Sequence, residues 1–258
     1  MGYLFLVIIF ILLIGLIIYM VKEAFANRVI YKEITFSDFP ETFGEVKLFF
    51  ISDIHKRVIS DQIIQEVQRS RADIVIIGGD LAEKGVPFER IKENLLKLKT
   101  LGDVLFVWGN NDYELDYRYL DALLLDCGVK ILDNTAAFFE SAEGERLIFM
   151  GIDDISLKRD RLDLALTDAG TDEGFRIMVS HNPQVVSRIK NEHQIRLVLS
   201  GHTHGGQIHI FGYSPYEKGK LKKMKQTTLL ISNGYGTTAL PLRLGAKAET
   251  HLITLKRG

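Results

Sequence analysis

The sequence predicts an α/β fold built on a sheet of largely parallel strands and preceded by a transmembrane helix. Two features of the chain indicate this. Short apolar runs rich in β-branched residues alternate with segments whose apolar residues recur at helical spacing. In addition, the stretch from Tyr3 to Val21 carries no charged residue. With 258 residues, 47% of them hydrophobic, the chain is long enough for one large α/β domain in addition to that N-terminal stretch.

The N-terminal stretch is long enough to cross the hydrocarbon core of a bilayer as a helix. The alternative is a cleaved signal peptide, for which residues 24–26 (Ala-Phe-Ala) supply a small-x-small cleavage site. However, no Lys or Arg precedes the apolar run, and the run is longer than a usual signal core. We therefore expect a retained, single-pass anchor in the cell membrane. Lys22, Arg28 and Lys32 follow the span and no cationic side chain precedes it, which places the domain in the cytoplasm.

The first half of the domain shows strand–helix alternation. Strand-like runs occur at 46–51, 74–77 and 104–108. One helical segment begins near Ser60 and another extends over 87–101. Such alternation builds a sheet of mainly parallel strands.

The second half shows shorter elements. A helix is predicted around 120–125 and a hairpin from 136–139 and 147–151, and further strand-like runs lie at 129–132, 175–179, 197–199, 229–232 and 251–255. We expect the last two runs to complete a second sheet. The chain is accordingly divided into an anchor (1–21), a juxtamembrane spacer with the first strand region (22–45) and the folded domain (46–258).

Polar residues that suit divalent metals follow five of these strands. They are Asp53, His55, Asp80, Asn110, His181, His202 and His204. Each short motif alone is a weak signal, because Asp, Asn and Gly also form turns and a single His is usually structural. However, residues that follow parallel strands gather at one edge of a sheet. Carboxylate, imidazole and amide groups are also the ligands that a pair of divalent ions needs, with one carboxylate as the bridge. Asp80 is the natural bridging residue.

The ordered motifs carry a resemblance to a known family. The set Asp53-x-His55, Gly79-Asp80, Gly109-Asn110, His181 and Gly201-His202-x-His204 resembles the calcineurin-like metallophosphoesterase superfamily, over about Val46 to Leu255. The extension 201–207 and the tail 232–243 are similar to those of a membrane-associated bacterial subgroup. The resemblance implies a four-layer α/β/β/α sandwich and two divalent ions, either manganese, iron or zinc.

The resemblance also assigns ligands and a reaction. One ion would be held by Asp53, His55, Asp80 and His204. The other would be held by Asp80, Asn110, His181 and His202. A hydroxide bridging the two ions would attack phosphorus in line.

Asn111 departs from the family pattern, which has a catalytic His at this position. An amide cannot protonate a leaving group, although it can donate a hydrogen bond to a phosphoryl oxygen. We therefore expect phosphodiester or pyrophosphate-type substrates, with a lipid-linked phosphate as one option, rather than simple alkyl monoesters. The role of Asp112, which would orient the missing His, is left open.

Two alternative functions stay open: a catalytically weak module that binds phosphate through its metals, and a nuclease. The net charge of −1 argues against a broad nucleic-acid surface, so we do not expect a nucleic-acid partner. The one basic cluster is read as either a solvated loop or a contact for anionic lipid or polyphosphate. Its members are Lys218, Lys220, Lys222, Lys223 and Lys225.

Three further features have two interpretations each. Arg243 suits either a phosphate clamp or a surface ion pair. His209 alternates with the apolar Ile208 and Ile210, so it either faces the cleft as a substrate-binding residue or does not. Asp153-Asp154 forms either a turn, which we favour, or a metal pair.

Overall fold

The computed structural model describes residues 2–171, 173–225 and 227–258. Within these residues the helices are α1 (Gly2–Ala24), α2 (Asp61–Ser70), α3 (Phe88–Lys99), α4 (Tyr117–Asp126) and α5 (Leu162–Ala169). The strands are β1 (Val29–Phe36), β2 (Glu45–Ile51), β3 (Ile74–Ile77), β4 (Asp103–Phe106), β5 (Lys130–Ile131), β6 (Ala136–Glu140), β7 (Arg146–Ile152), β8 (Phe175–Ser180), β9 (Ile195–Ser200), β10 (Lys220–Lys223), β11 (Thr228–Ile231) and β12 (Thr250–Arg257).

The strands form two six-stranded sheets, in the orders β1-β12-β2-β3-β4-β5 and β10-β11-β9-β8-β7-β6. The pairs from β2 to β5 and from β11 through β9 and β8 to β7 are parallel. Strand β3 shows why the sheets stack. Its four residues are apolar and buried on both faces, with Val75 and Ile77 packed against the helices and Ile74 and Ile76 packed between the sheets.

Helices α2, α3 and α4 cover the outer face of the first sheet through residues such as Val67, Leu95 and Leu124. Helix α5 and the 3₁₀ segment Pro183–Arg188 cover the outer face of the second sheet. The predicted four-layer α/β/β/α arrangement is confirmed.

One expectation about the strands was wrong. Strand β12 lies in the first sheet, between β1 and β2, rather than closing the second. The region 22–45, expected to hold a spacer and a strand region, contains one complete strand. Residues 29–36 form β1, which pairs in parallel with β12 along its full length, from Val29 opposite Thr250 to Phe36 opposite Arg257.

Helix α1 is exposed along most of its length and is, by length and composition, able to cross a membrane. Its buried residues, Met20, Glu23 and Ala24, lie at the end that meets the domain. There the Met20 carbonyl accepts a hydrogen bond of 3.1 Å from the Arg243 backbone N–H. The final carbonyls of a helix lack intrahelical partners and carry partial negative charge, so they favour a cation.

The Arg57 guanidinium is the cation at the C-terminal end of α1. It donates to the carbonyls of Ala24, Phe25 and Ala26 at 3.4, 3.1 and 3.2 Å, and it lies 3.5 Å from the centre of the Tyr235 ring. The helix is thus fastened to the loops that follow β2 and β11.

Candidate metal centre

The metal-ligand candidates lie where the strands of both sheets end. Asp53 and His55 follow β2, and Asp80 and Asn110 follow β3 and β4, in the first sheet. His181 follows β8, and the pair His202 and His204 follows β9, in the second sheet. The sandwich therefore brings seven side chains from two sheets to one edge.

Five of the seven candidates have a left-handed backbone conformation. They are Asp53 (φ 53°), His55 (φ 52°), Asp80 (φ 51°), His202 (φ 70°) and His204 (φ 49°). This conformation is uncommon in residues other than glycine and tends to persist where a function requires it. The loops are therefore held in shapes that direct these side chains inward.

Asp53, His55, Asp80 and His204 form one compact group, whose donor atoms all lie within 4.8 Å of one another. The Nε2 atoms of His55 and His204 face each other at 3.1 Å. His204 Nε2 is 3.4 Å from Asp53 Oδ1. All four residues are buried, and together they can hold a divalent cation.

His181 also approaches Asp80. Its Nε2 is 3.1 Å from Asp80 Oδ2, and the same carboxylate oxygen is 3.8 Å from His55 Nε2. His181 Nδ1 lies 2.8 Å from the Gly78 carbonyl, to which it can donate, leaving Nε2 free to bind a metal. Asn110 Oδ1 is buried and accepts no hydrogen bond from any described residue. One Asp80 oxygen thus lies near a histidine that follows a strand of each sheet.

Charge and burial act in opposite directions on the histidines. Burial disfavours a proton on His181, but the Asp80 carboxylate outweighs it and raises the pKa of His181 to about 10. Burial lowers the pKa of His204 to about 4. The pKa of His202 is lowered by burial and by the neighbouring His181.

Glu83 supports His55 and was not predicted from the sequence. Its Oε2 lies 2.9 Å from His55 Nδ1, and its other oxygen lies 2.6 Å from Lys56 Nζ. A carboxylate on the far nitrogen of a ligand histidine orients the ring and increases its basicity. Nothing in the loop sequence after Asp80 distinguishes this Glu from a surface residue.

Asp112, whose role could not be assigned from the sequence, has a structural role. Its carboxylate accepts hydrogen bonds from the backbone N–H groups of Asp80 and Gly109, both at 2.9 Å, and of Ala82 at 3.1 Å. It thereby ties together the loops that follow β3 and β4. Burial and the nearby Asp80 charge raise the pKa of Asp112 to about 7.

Asn111 lies at the rim of a cavity of about 420 Å³. Its backbone N–H donates to Asp80 Oδ1 at 2.8 Å, and its side-chain amide donates to Glu114 Oε1 at 2.9 Å. The cavity is lined by Asp80, Asn110, Asn111, His202, Thr203, His204, Gly206, Gln207, Tyr216, Thr238 and Ala239. Asn111, the residue predicted to be catalytic, therefore faces the cavity beside the candidate ligands.

The two interpretations of Arg243 are both contradicted. The side chain is fully buried, so it forms neither a phosphate clamp nor a surface ion pair. Its guanidinium donates to backbone carbonyls instead, at distances from 2.6 to 3.5 Å. The acceptors are His204, Asn233, Gly234, Gly236, Ala246 and Lys247.

His209 is not among the residues that line the cavity. Its Nε2 is 2.7 Å from the Gly205 carbonyl. Asp153 is engaged by the Tyr113 hydroxyl at 2.8 Å and by Arg159 Nε at 2.8 Å. Its carboxylate is therefore committed to protein partners.

A profile of known sequences decides the family. The calcineurin-like phosphoesterase profile matches residues 46–206, more than half of the chain. The chain belongs to the calcineurin-like phosphoesterase family. The resemblance read from the motifs is thereby confirmed.

Relatives of this phosphoesterase include the uncharacterized protein YpbG of Bacillus subtilis, 45% identical over 209 residues that cover 81% of this chain and 80% of that protein. A transmembrane protein with metallophosphoesterase domain from Danio rerio is 29% identical over 260 residues, which cover 92% of this chain but only 59% of that protein. An uncharacterized metallophosphoesterase of Helicobacter pylori is 28% identical over 82% of this chain and 60% of its own length.

Among solved structures, a dimetal phosphatase from Danio rerio superposes with a TM-score of 0.51 at 14% identity. The superposition covers 73% of this chain and 87% of that one. This likeness concerns the two-sheet fold.

Proposed function

We propose that this chain is a membrane-anchored phosphoesterase that uses two divalent metal ions to hydrolyse phosphodiester or pyrophosphate-type bonds. The observation that carries the proposal is that one oxygen of the Asp80 carboxylate, Oδ2, lies 3.8 Å from His55 Nε2 and 3.1 Å from His181 Nε2, where it could serve both ions. When bound, such ions activate water and neutralise the charge that develops on phosphoryl oxygens. The donor set of carboxylates, imidazoles and an amide suits manganese, iron or zinc.

The chain's own residues would orient the substrate. Asn111 presents an amide at the cavity rim, where it can donate a hydrogen bond to a phosphoryl oxygen but cannot supply a proton to the leaving group. Its backbone N–H holds Asp80 Oδ1, which fixes the carboxylate relative to the cavity. Leaving groups that are stable as anions, such as phosphates and aryl oxides, are therefore favoured over alkoxides.

Helix α1 supports the membrane part of the proposal, since its exposed apolar surface has no covering element among the described residues. The cations after the span favour a cytoplasmic domain. A phosphate ester carried by a membrane lipid would then be accessible to the anchored domain.

The test is turnover of the full-length protein in detergent, with added Mn²⁺, on a panel of an aryl phosphodiester, a pyrophosphate and an alkyl monoester. Asp80→Asn should reduce turnover by at least about 100-fold, because one charged ligand of both sites is lost. Asp61→Asn is the matched control, since Asp61 is exposed and pairs only with Lys97. A wild-type protein that binds Mn²⁺ but turns over none of the panel would instead indicate a binding module.

A further inference from the structure

We propose that a set of exposed apolar side chains beside the active-site cavity inserts into the bilayer interface next to α1. The set, called here the apolar rim, consists of Ile210, Phe211, Tyr213, Tyr216 and Leu240. This inference rests on the proposed membrane anchor. It adds a second lipid contact, which would hold the cavity mouth at the membrane surface.

The rim is built on a rigid hairpin tip. Ile210 and Tyr213 exchange two backbone hydrogen bonds, of 3.1 and 3.0 Å, across a two-residue turn. Both turn residues have positive φ, 51° at Phe211 and 81° at Gly212, which is the type I′ pattern that normally selects Asn and Gly. A bulky aromatic residue is strained there. Phe211 nevertheless occupies the position, and its side chain is fully exposed.

A hydrogen-bonded path joins this hairpin to the end of α1. The Arg243 N–H donates to the Met20 carbonyl, the Leu244 N–H donates to the Gln207 carbonyl at 2.8 Å, and the His209 N–H donates to the Leu244 carbonyl at 2.7 Å. Met20 is the next-to-last residue of the uncharged apolar stretch, so it lies where the span leaves the hydrocarbon. The base of the hairpin is therefore fixed close to the membrane boundary.

The same loops form the cavity wall. Gln207 donates through its side chain to the carbonyls of Thr238 and Leu240, at 3.1 and 3.0 Å, which ties the hairpin to the loop that carries Leu240. Gln207, Tyr216 and Thr238 line the cavity. Apolar and aromatic side chains, Tyr in particular, are favoured at the level of lipid headgroups. Lipid is thus the occupant that matches a rim lying between the end of a spanning helix and the cavity.

The test uses fluorescence quenching by lipids brominated in the acyl chain. Full-length Phe211→Trp and, as matched control, Phe138→Trp are reconstituted into vesicles of phosphatidylcholine and phosphatidylglycerol with and without the brominated lipid. Phe138 is also an exposed Phe, but it lies on strand β6 at the edge of the second sheet. The native Trp108 is buried and supplies a constant background that the wild-type protein measures.

We expect the added emission of Phe211→Trp to fall by at least half in brominated vesicles and that of Phe138→Trp to stay unchanged. Flotation of the vesicles distinguishes a failure of the rim proposal from a failure of the proposed anchor. Protein that floats with the vesicles while Phe211→Trp remains unquenched overturns the rim proposal and leaves the anchor intact. Wild-type protein that does not float overturns the anchor, and the rim proposal with it. Equal quenching of both variants also contradicts a specific rim.

Discussion

Asn111 is the residue whose chemistry separates this chain from the pattern of its family. Its amide lies 2.9 Å from Glu114 Oε1, so a histidine at this position would have a carboxylate beside it. A carboxylate stabilises an imidazolium and so favours a proton donor. Asp112, which the family pattern would pair with that histidine, is instead bonded to three backbone N–H groups.

We predict that Asn111→His raises kcat/KM for alkyl phosphate esters more than for aryl esters. The reason is that only the alkoxide leaving group needs the proton. General acid catalysis is worth roughly 10²–10⁴-fold, and an imperfectly oriented histidine would recover a small part of that. The measurement compares matched alkyl and aryl substrates in both proteins at equal metal content. A wild-type rate that is independent of leaving-group pKa would show that another group already supplies the proton.

The pKa of His181 gives a second prediction. Because that pKa is raised to about 10, the metal-free protein holds a proton on His181 at pH 8, and the proton is lost as pH rises through 10. A metal that binds Nε2 must displace it, so metal uptake at pH 8 should release at least one proton and affinity should increase with pH. Titration calorimetry in buffers of different ionisation enthalpy measures the released protons. A binding enthalpy that does not depend on the buffer would contradict this.

At the scale of elements, the strands with buried apolar residues were predictable, and their neighbours in the sheet were not. Runs such as β3, with four consecutive buried apolar residues, identify a strand but carry no information about its partner. For this reason β12 was assigned to the wrong sheet. Strand β10 was missed because charged residues interrupt its apolar pattern in the sequence Lys-Leu-Lys-Lys.

The role of Arg243 could not be predicted from the sequence either. The gathering of the candidate ligands at one edge was predictable because each follows an apolar strand in a fixed motif. The guanidinium instead satisfies carbonyls contributed by loops that are distant in sequence, and only the folded chain brings these together.

We predict that Arg243→Met lowers the free energy of unfolding by about 3 kcal/mol or more, because several buried carbonyls lose a charged donor. It should also weaken metal binding, since the His204 carbonyl is one of the acceptors. Urea unfolding of the full-length protein in detergent measures the change. Lys247→Met is the control, because Lys247 is exposed nearby. Equal stability of the two variants would show that the carbonyl cluster does not depend on Arg243.

At the scale of the whole molecule, α1 as the proposed membrane anchor would determine which compartment the domain occupies. We predict that protease added to intact cells leaves the domain whole and that the same protease digests it after permeabilisation. The permeabilised sample is the control for accessibility. Digestion of the domain in intact cells would place it outside, and a mature chain that begins near Asn27 would mean that α1 is removed.

The sandwich itself forms the candidate metal centre, because the first sheet supplies Asp53, His55, Asp80 and Asn110 and the second supplies His181, His202 and His204. Two ions joined by one carboxylate lie roughly 3.5–4 Å apart, close enough for their unpaired electrons to couple.

Electron paramagnetic resonance of the full-length protein titrated with Mn²⁺ tests the proposed dinuclear site most directly. We predict that the wild-type protein develops the spectrum of a coupled Mn²⁺ pair as the second equivalent binds, and that Asp80→Asn shows only isolated Mn²⁺. A wild-type spectrum of isolated Mn²⁺ at every ratio, with one ion bound per chain, would contradict the dinuclear site.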